Sequence, residues 1–153
     1  MHNNDMLRSL RYLLKVRDAK LAEIIQLAGY EISAAEVTDL LKSEDEAGYQ
    51  LCEDELLAQT LNGIVFWKRG KDPNRPQPPL ELPVSNNTVL KKLRVAFELK
   101  DEDIQAILAE AGFEVSKSEL SALFRKPEHK HFRPCGDQFL RYFLKGLSLR
   151  VRA

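Results

Sequence analysis

The chain has little that could serve chemistry or span a membrane. It has two cysteines among 153 residues, Cys52 and Cys135, which is too few for a disulfide framework. No apolar run reaches the roughly 18 residues of a membrane span. The opening, Met1-His2-Asn3-Asn4-Asp5, is polar and offers no signal segment, so a cytoplasmic location and no membrane partner are expected. Charge of one sign is missing as well. The 23 Lys and Arg balance 23 Asp and Glu, which removes any global pull towards nucleic acid or anionic lipid. A Gly-rich phosphate loop, a nucleophile elbow, a His-Glu-x-x-His pair and a dinucleotide fingerprint are all absent. A non-enzymatic role without a cofactor is therefore expected.

The sequence is rich in self-similarity. From Asn3-Asn4 to Gly70, and again from Asn86-Asn87 to the end, one pattern recurs at an ungapped offset of 83 residues. Leu7/Leu90, Leu10/Leu93, Arg11/Arg94, Asp18/Asp101, Gly29/Gly112, Ser33/Ser116, Glu36/Glu119, Cys52/Cys135, Asp54/Asp137 and Gly63/Gly146 are paired in this way. A repeat of this kind specifies architecture before anything else. The cysteines share one repeat position, which favours packing over pairing.

Each copy reads as four helices. The first starts at the Asn pair, whose side chains suit N-terminal capping, and carries Met6, Leu7, Leu10, Leu13 and Leu14 at helical spacing. Asp18 and Asp101 suit the cap of the second, which Gly29 and Gly112 close. Tyr30 and Phe113 follow, placed to fold back on the last turn. Ser33-x-x-Glu36 and Ser116-x-x-Glu119 are capping boxes for the third helix, with Ile32 and Val115 at staple positions. The fourth carries Leu56, Leu57 and Leu61, or Phe139, Leu140, Phe143 and Leu144. Gly63 and Gly146 lie inside it. An interior Gly costs about 1 kcal/mol against Ala, so its repetition predicts a close helix crossing. The expected fold is all-α: a tandem duplication of a four-helix module containing a helix-turn-helix-like pair. Modules over 1–70 and 86–153 flank a Pro-rich linker over 71–85, where five of the seven prolines fall. That stretch reads as extended polyproline.

Four repeated polar residues stand out. Arg11 and Arg94 each follow a core leucine, and Asp54 and Asp137 open the fourth helix. Arg11–Asp54 and Arg94–Asp137 bridges are expected, with Glu36 and Glu119 as alternative partners, and the four residues are candidates for a structural or interaction role. His129, His131 and Cys135 are zinc-capable types, but the first copy has Glu46, Gly48 and Cys52 there and no fourth ligand is near, so no metal is expected. Cys135 lies near a helix start, where thiolates form readily. Its counterpart Cys52 sits among Glu53, Asp54 and Glu55, which argues against a nucleophile.

The copies differ in charge. Residues 1–70 hold 8 basic and 12 acidic side chains, and residues 84–153 hold 13 and 9. Lys117, Arg125, Lys126, Lys130 and Arg133 cluster around the third helix of the second copy and its exit, with Arg141 and Lys145 on the fourth. These are the candidates for nucleic-acid contact through phosphate. The opposite net charges also suit self-association, head to tail.

The Asn-Asn-x-x-Leu-x-x-Leu-Arg openings, the stretch Asn86 to Arg94 and Gly136-Asp137-Gln138-Phe139-Leu140-Arg141-Tyr142-Phe143-Leu144 resemble the YehS-like family of small bacterial proteins, which carry a duplicated conserved domain of unknown function. The resemblance covers nearly the whole chain and implies the duplicated architecture. It implies no particular activity or site residue. The leading expectation is a protein-interaction or adaptor module with an unidentified protein partner; the alternative is a nucleic-acid-binding regulatory protein that uses the basic second repeat.

Overall fold

The repeated apolar spacing folds into eight helices and, among the described residues 1–152 of this computed structural model, no strand. One compact unit spans Met1–Val84 and a second begins at Ser85. The first contains α1 (Asn3–Leu14), α2 (Asp18–Gln26), α3 (Ala34–Leu41) and α4 (Asp54–Arg69). The second contains α5 (Asn86–Ala96), α6 (Asp101–Glu110), α7 (Lys117–Leu123) and α8 (Asp137–Arg152). In each unit the second and fourth helices pack together, and the first helix contacts the fourth. None of the described helices is long and apolar enough to cross a membrane.

The apolar stripes form the cores. Leu7, Leu10, Leu13, Leu21, Ile24, Ile25 and Leu61 are fully buried in the first unit, and Leu90, Leu93, Ile104, Ile107, Leu140 and Phe143 in the second. Each such side chain contributes about 1.5–3 kcal/mol over its exposed state. Gly63 and Gly146 let the central helices meet. A Cβ on Gly63 would lie 3.0 Å from the Ile24 carbonyl carbon, and one on Gly146 would lie 2.9 Å from that of Ile107. Ile24 and Ile107 are themselves a repeat pair.

The punctuation is largely as the sequence predicts. Ser33 accepts from the Glu36 amide while Glu36 accepts from the Ser33 amide, and Ser116 and Glu119 do the same. Gly29 and Gly112 take φ of 87° and 89°, left-handed values that suit Gly. Two corrections concern the other helix starts. The cap of α1 is His2 and that of α5 is Ser85, whose side chains accept from Asn4 and Thr88 amides. The Asn pairs are thus the first helical residues, free to reach elsewhere. Asp18 and Asp101 are likewise first helical residues behind Arg17 and Lys100. Asp18 accepts from the Thr38 hydroxyl at 2.6 Å, which ties α2 to α3.

One repeated strain was not apparent from composition. Lys15 and Glu98, a repeat pair just past α1 and α5, hold φ of 56° and 53°. Their placement lets Val16 and Leu99 donate back to Arg11 and Arg94 carbonyls. The Pro-rich stretch up to Val84 groups with the first unit. Lys71 Nζ donates to the Leu27 carbonyl at 2.8 Å, and the Val84 amide to Asp54 at 3.0 Å.

Candidate interaction groove

The Asn pairs build a clamp in each unit. Asn4 is 1 % exposed. Its amide nitrogen donates to the Leu40 and Gln50 carbonyls at 3.0 and 2.8 Å, and its oxygen accepts from the Cys52 amide at 2.9 Å. Asn87 repeats all three contacts, donating to Leu123 and Arg133 and accepting from Cys135. Asn3 donates to the Cys52 carbonyl and Asp54, and Asn86 to the Cys135 carbonyl and Asp137. These carboxamides satisfy backbone groups that no helix or sheet partner reaches. They bind the end of the third helix and the strand-like run before the fourth to the start of the first.

That run is one wall of a groove, and the groove also repeats. In the first unit it is lined by Tyr30, Ile32, Glu36, Asp39, Leu40, Gln50, Leu51, Glu53 and Leu56, with a volume of about 410 Å³. In the second, Phe113, Val115, Glu119, Ala122, Leu123, Arg133, Pro134, Gly136 and Phe139 take the same nine repeat positions. Ser118, Arg125 and His131 extend it to about 560 Å³. The apolar floor is kept and the charge is exchanged. Glu36, Asp39 and Glu53 rim the first groove. In the second, Ala122 and Gly136 replace two of those carboxylates, and Arg125, Arg133 and His131 are added.

Phe113 does not fold back on α6 alone. Its ring stacks on Tyr142 at 5.2 Å and meets Phe139 edge-on at 5.6 Å, so α8 forms the opposite wall. Phe139, on that wall, is half-buried.

The predicted Arg–Asp bridges are not formed. Asp54 and Asp137 lie within the Asn clamps instead. The Asn86 hydrogen bond holds the Asp137 carboxyl below its usual range. Arg94 pairs with Asp101 at 2.9 Å and lies 4.5 Å over the Phe124 ring. A nearer carboxylate and an aromatic face thus take the guanidinium. The alternative partners Glu36 and Glu119 are held in their capping boxes, and the buried Arg11 Nε has no hydrogen-bond partner. Asp54, Asp137 and Arg94 are therefore each tied to a neighbouring polar group of their own unit.

Of the predicted nucleic-acid contacts, Arg125 and Arg133 share the second groove. Lys117 is paired with Glu102 at 3.1 Å, outside it. Lys126 and Lys130 are exposed in the segment after α7, and Arg141 and Lys145 are exposed on α8. His129 accepts from the His131 amide at 3.0 Å and contacts Arg125 at 3.2 Å. Among the described residues no three His, Cys, Asp or Glu side chains converge as a metal site. Cys52 and Cys135 are unpaired and buried. Burial, then the neighbouring Asp54 or Asp137, pushes each thiol up to about 12, the reverse of an activated nucleophile. The clamp asparagines and groove aromatics were missed as site residues; their repetition, alongside charges that fail to repeat, was the available signal.

The fold and paired grooves define a tandemly duplicated, all-helical protein. One family model matches twice, over residues 3–70 and 86–153, and the chain belongs to that family, proteins of unknown function DUF1456. The uncharacterized protein YehS of Escherichia coli (strain K12) is 51 % identical over 150 residues, covering 98 % of this chain and 96 % of that protein. No solved structure matches.

Proposed function

We propose that the chain is a non-enzymatic adaptor whose two grooves hold segments of partner proteins. The observation that carries this reading is the groove repeated at nine equivalent positions with its apolar floor kept and its rim charge exchanged. A concave apolar floor with a few polar groups at the rim is the usual form of a binding site. Two such sites on one chain raise overall avidity when both are engaged. The buried thiols beside the Asn clamps hold their protons tightly, which favours binding over covalent chemistry.

The test is affinity capture from a bacterial lysate with and without nuclease, using the wild-type chain, Glu53→Lys and Arg133→Glu. Nuclease-resistant capture of specific proteins, reduced by either reversal, supports the adaptor. Capture indifferent to both variants refutes it. A second reading, nucleic-acid binding, rests on the exposed Arg125, Lys126, Lys130 and Arg133 of the basic unit; nuclease-sensitive retention would favour it. Opposite rim charges also suit association between copies, and a monomer unchanged by salt on size-exclusion would remove that.

A further inference from the structure

We infer that the groove of the second unit takes an acidic peptide segment bearing an aromatic or large aliphatic anchor, a ligand chemically distinct from that of the first groove. This rests on the adaptor reading and names the chemistry of one of its sites. The floor supplies the anchor pocket: Phe113 and Phe139 stand edge to face, and Val115 and Leu123 line the same groove. A buried aromatic in such a pocket is the usual energetic centre of a peptide contact.

The rim supplies the charge. Arg125 and Arg133 both line the groove and are exposed, and no described carboxylate forms an ion pair with either guanidinium. Guanidinium forks match carboxylates in shape as well as sign. The wall carrying Arg133 is held before any ligand arrives. Its amide donates to the Ala122 carbonyl at 3.1 Å, and its carbonyl accepts from Asn87 at 3.0 Å. Preorganisation of this kind lowers the entropic cost of binding. At the equivalent of Arg133 the first groove has Gln50, and Glu53 and Asp39 stand where the second has Gly136 and Ala122. The same acidic segment would be repelled there.

A nucleic acid fits this groove less well. Glu119 lines it, its carboxyl held below the usual range by hydrogen bonds from the Ser116 side chain and backbone and also by the Arg133 charge, so the net positive charge inside the groove is small and suits one or two carboxylates. The other cations of the unit do not form a row along the groove: Arg94 is taken by Asp101, Lys117 by Glu102, Arg150 lies 3.9 Å from Asp103, and the exposed Lys126, Lys130, Arg141 and Lys145 do not line it. A strand of phosphates needs such a row, whereas one or two carboxylates need only Arg125 and Arg133.

The test is fluorescence anisotropy on the full chain with three labelled probes: a peptide of phenylalanine flanked by aspartates, the same peptide with lysines for aspartates, and a twelve-nucleotide oligothymidine. The acidic peptide should bind best. Arg125→Glu and Arg133→Glu should each weaken it about tenfold or more, with circular dichroism and melting temperature unchanged. Lys20→Glu, a charge reversal on the surface of the other unit outside either groove, should leave it unaffected. Equal or tighter binding of the lysine peptide or the oligonucleotide overturns the inference. So does absent binding, or affinity insensitive to both reversals. Any of these outcomes alongside groove-dependent capture of proteins from lysate would sink this ligand assignment while leaving the adaptor reading in place.

Discussion

Gly146→Ala is the sharpest test of how the second unit is held together. An added Cβ would meet Ile107 Cγ2 at 2.8 Å and the Ile107 carbonyl carbon at 2.9 Å, where ordinary contact begins near 3.4 Å. The carbonyl oxygen lies closer still, and its rotation is opposed because it accepts the Ala111 amide at the C-terminal end of α6. The helices must therefore separate by on the order of half an ångström or more, in a core containing Ile104, Ile107, Phe143 and Leu147. Overpacking costs about 1–3 kcal/mol, more when backbone must move. Against it, Ala gains about 1 kcal/mol of helix propensity over Gly. Because the clash is with α6 backbone the upper end of about 3 kcal/mol applies, and a net loss of about 2 kcal/mol follows, or about 8–16 °C in melting temperature for a unit of this size. Thermal unfolding followed by circular dichroism on the full chain reads it. Gly136→Ala is the control, since nothing lies within 4 Å of its added Cβ, and a change of about 1 kcal/mol or less is expected. If Gly146→Ala melted at or above the wild-type temperature, propensity alone would be acting and the close crossing would be refuted.

Other consequences can be measured on the same chain. Asn4→Ala strands the Leu40 and Gln50 carbonyls and the Cys52 amide; a loss of about 3 kcal/mol is expected in urea unfolding, and a loss below 1 kcal/mol would show the clamp to be dispensable. Lys15→Gly relieves a left-handed backbone that costs about 1–2 kcal/mol, offset by about 0.5–1 kcal/mol of Gly entropy; a small stabilisation is expected, and clear destabilisation would contradict it. The thiols of Cys52 and Cys135 are raised from the ordinary 9.0 to about 12, so the folded state holds those protons more tightly than the unfolded state. Their stabilising contribution is full below about pH 9 and is lost as pH rises from there towards 12. Alkylation at pH 8 should accordingly be slow until the chain is unfolded, and rapid labelling of the native protein would refute the burial.

The sequence disclosed a feature best where its cause was local or repeated. The capping boxes at Ser33 and Ser116 need only residues three positions apart, and they form as predicted. Gly63 and Gly146 were legible because an unfavourable residue recurred at one helical position. The Asn pairs were misread as caps because their true acceptors lie 36 to 51 residues away. The Arg94 partner was misassigned for a related reason. Several acidic residues recur with equal fidelity, and only the turn between α5 and α6 decides that Asp101 is the one within reach.

The division has a physical basis. Period, caps and helix stops are written in neighbouring residues, so the chain alone specifies eight helices, their apolar faces and their duplication. The groove is different. Its floor and rim come from a turn, the third helix, the run after it and the fourth helix, brought together by the Asn clamp and the Gly crossing. Only that packing decides that Phe113 faces Phe139, that Arg125 and Arg133 share one rim while Lys117 does not, and that two copies of one fold present opposite charges from the same place.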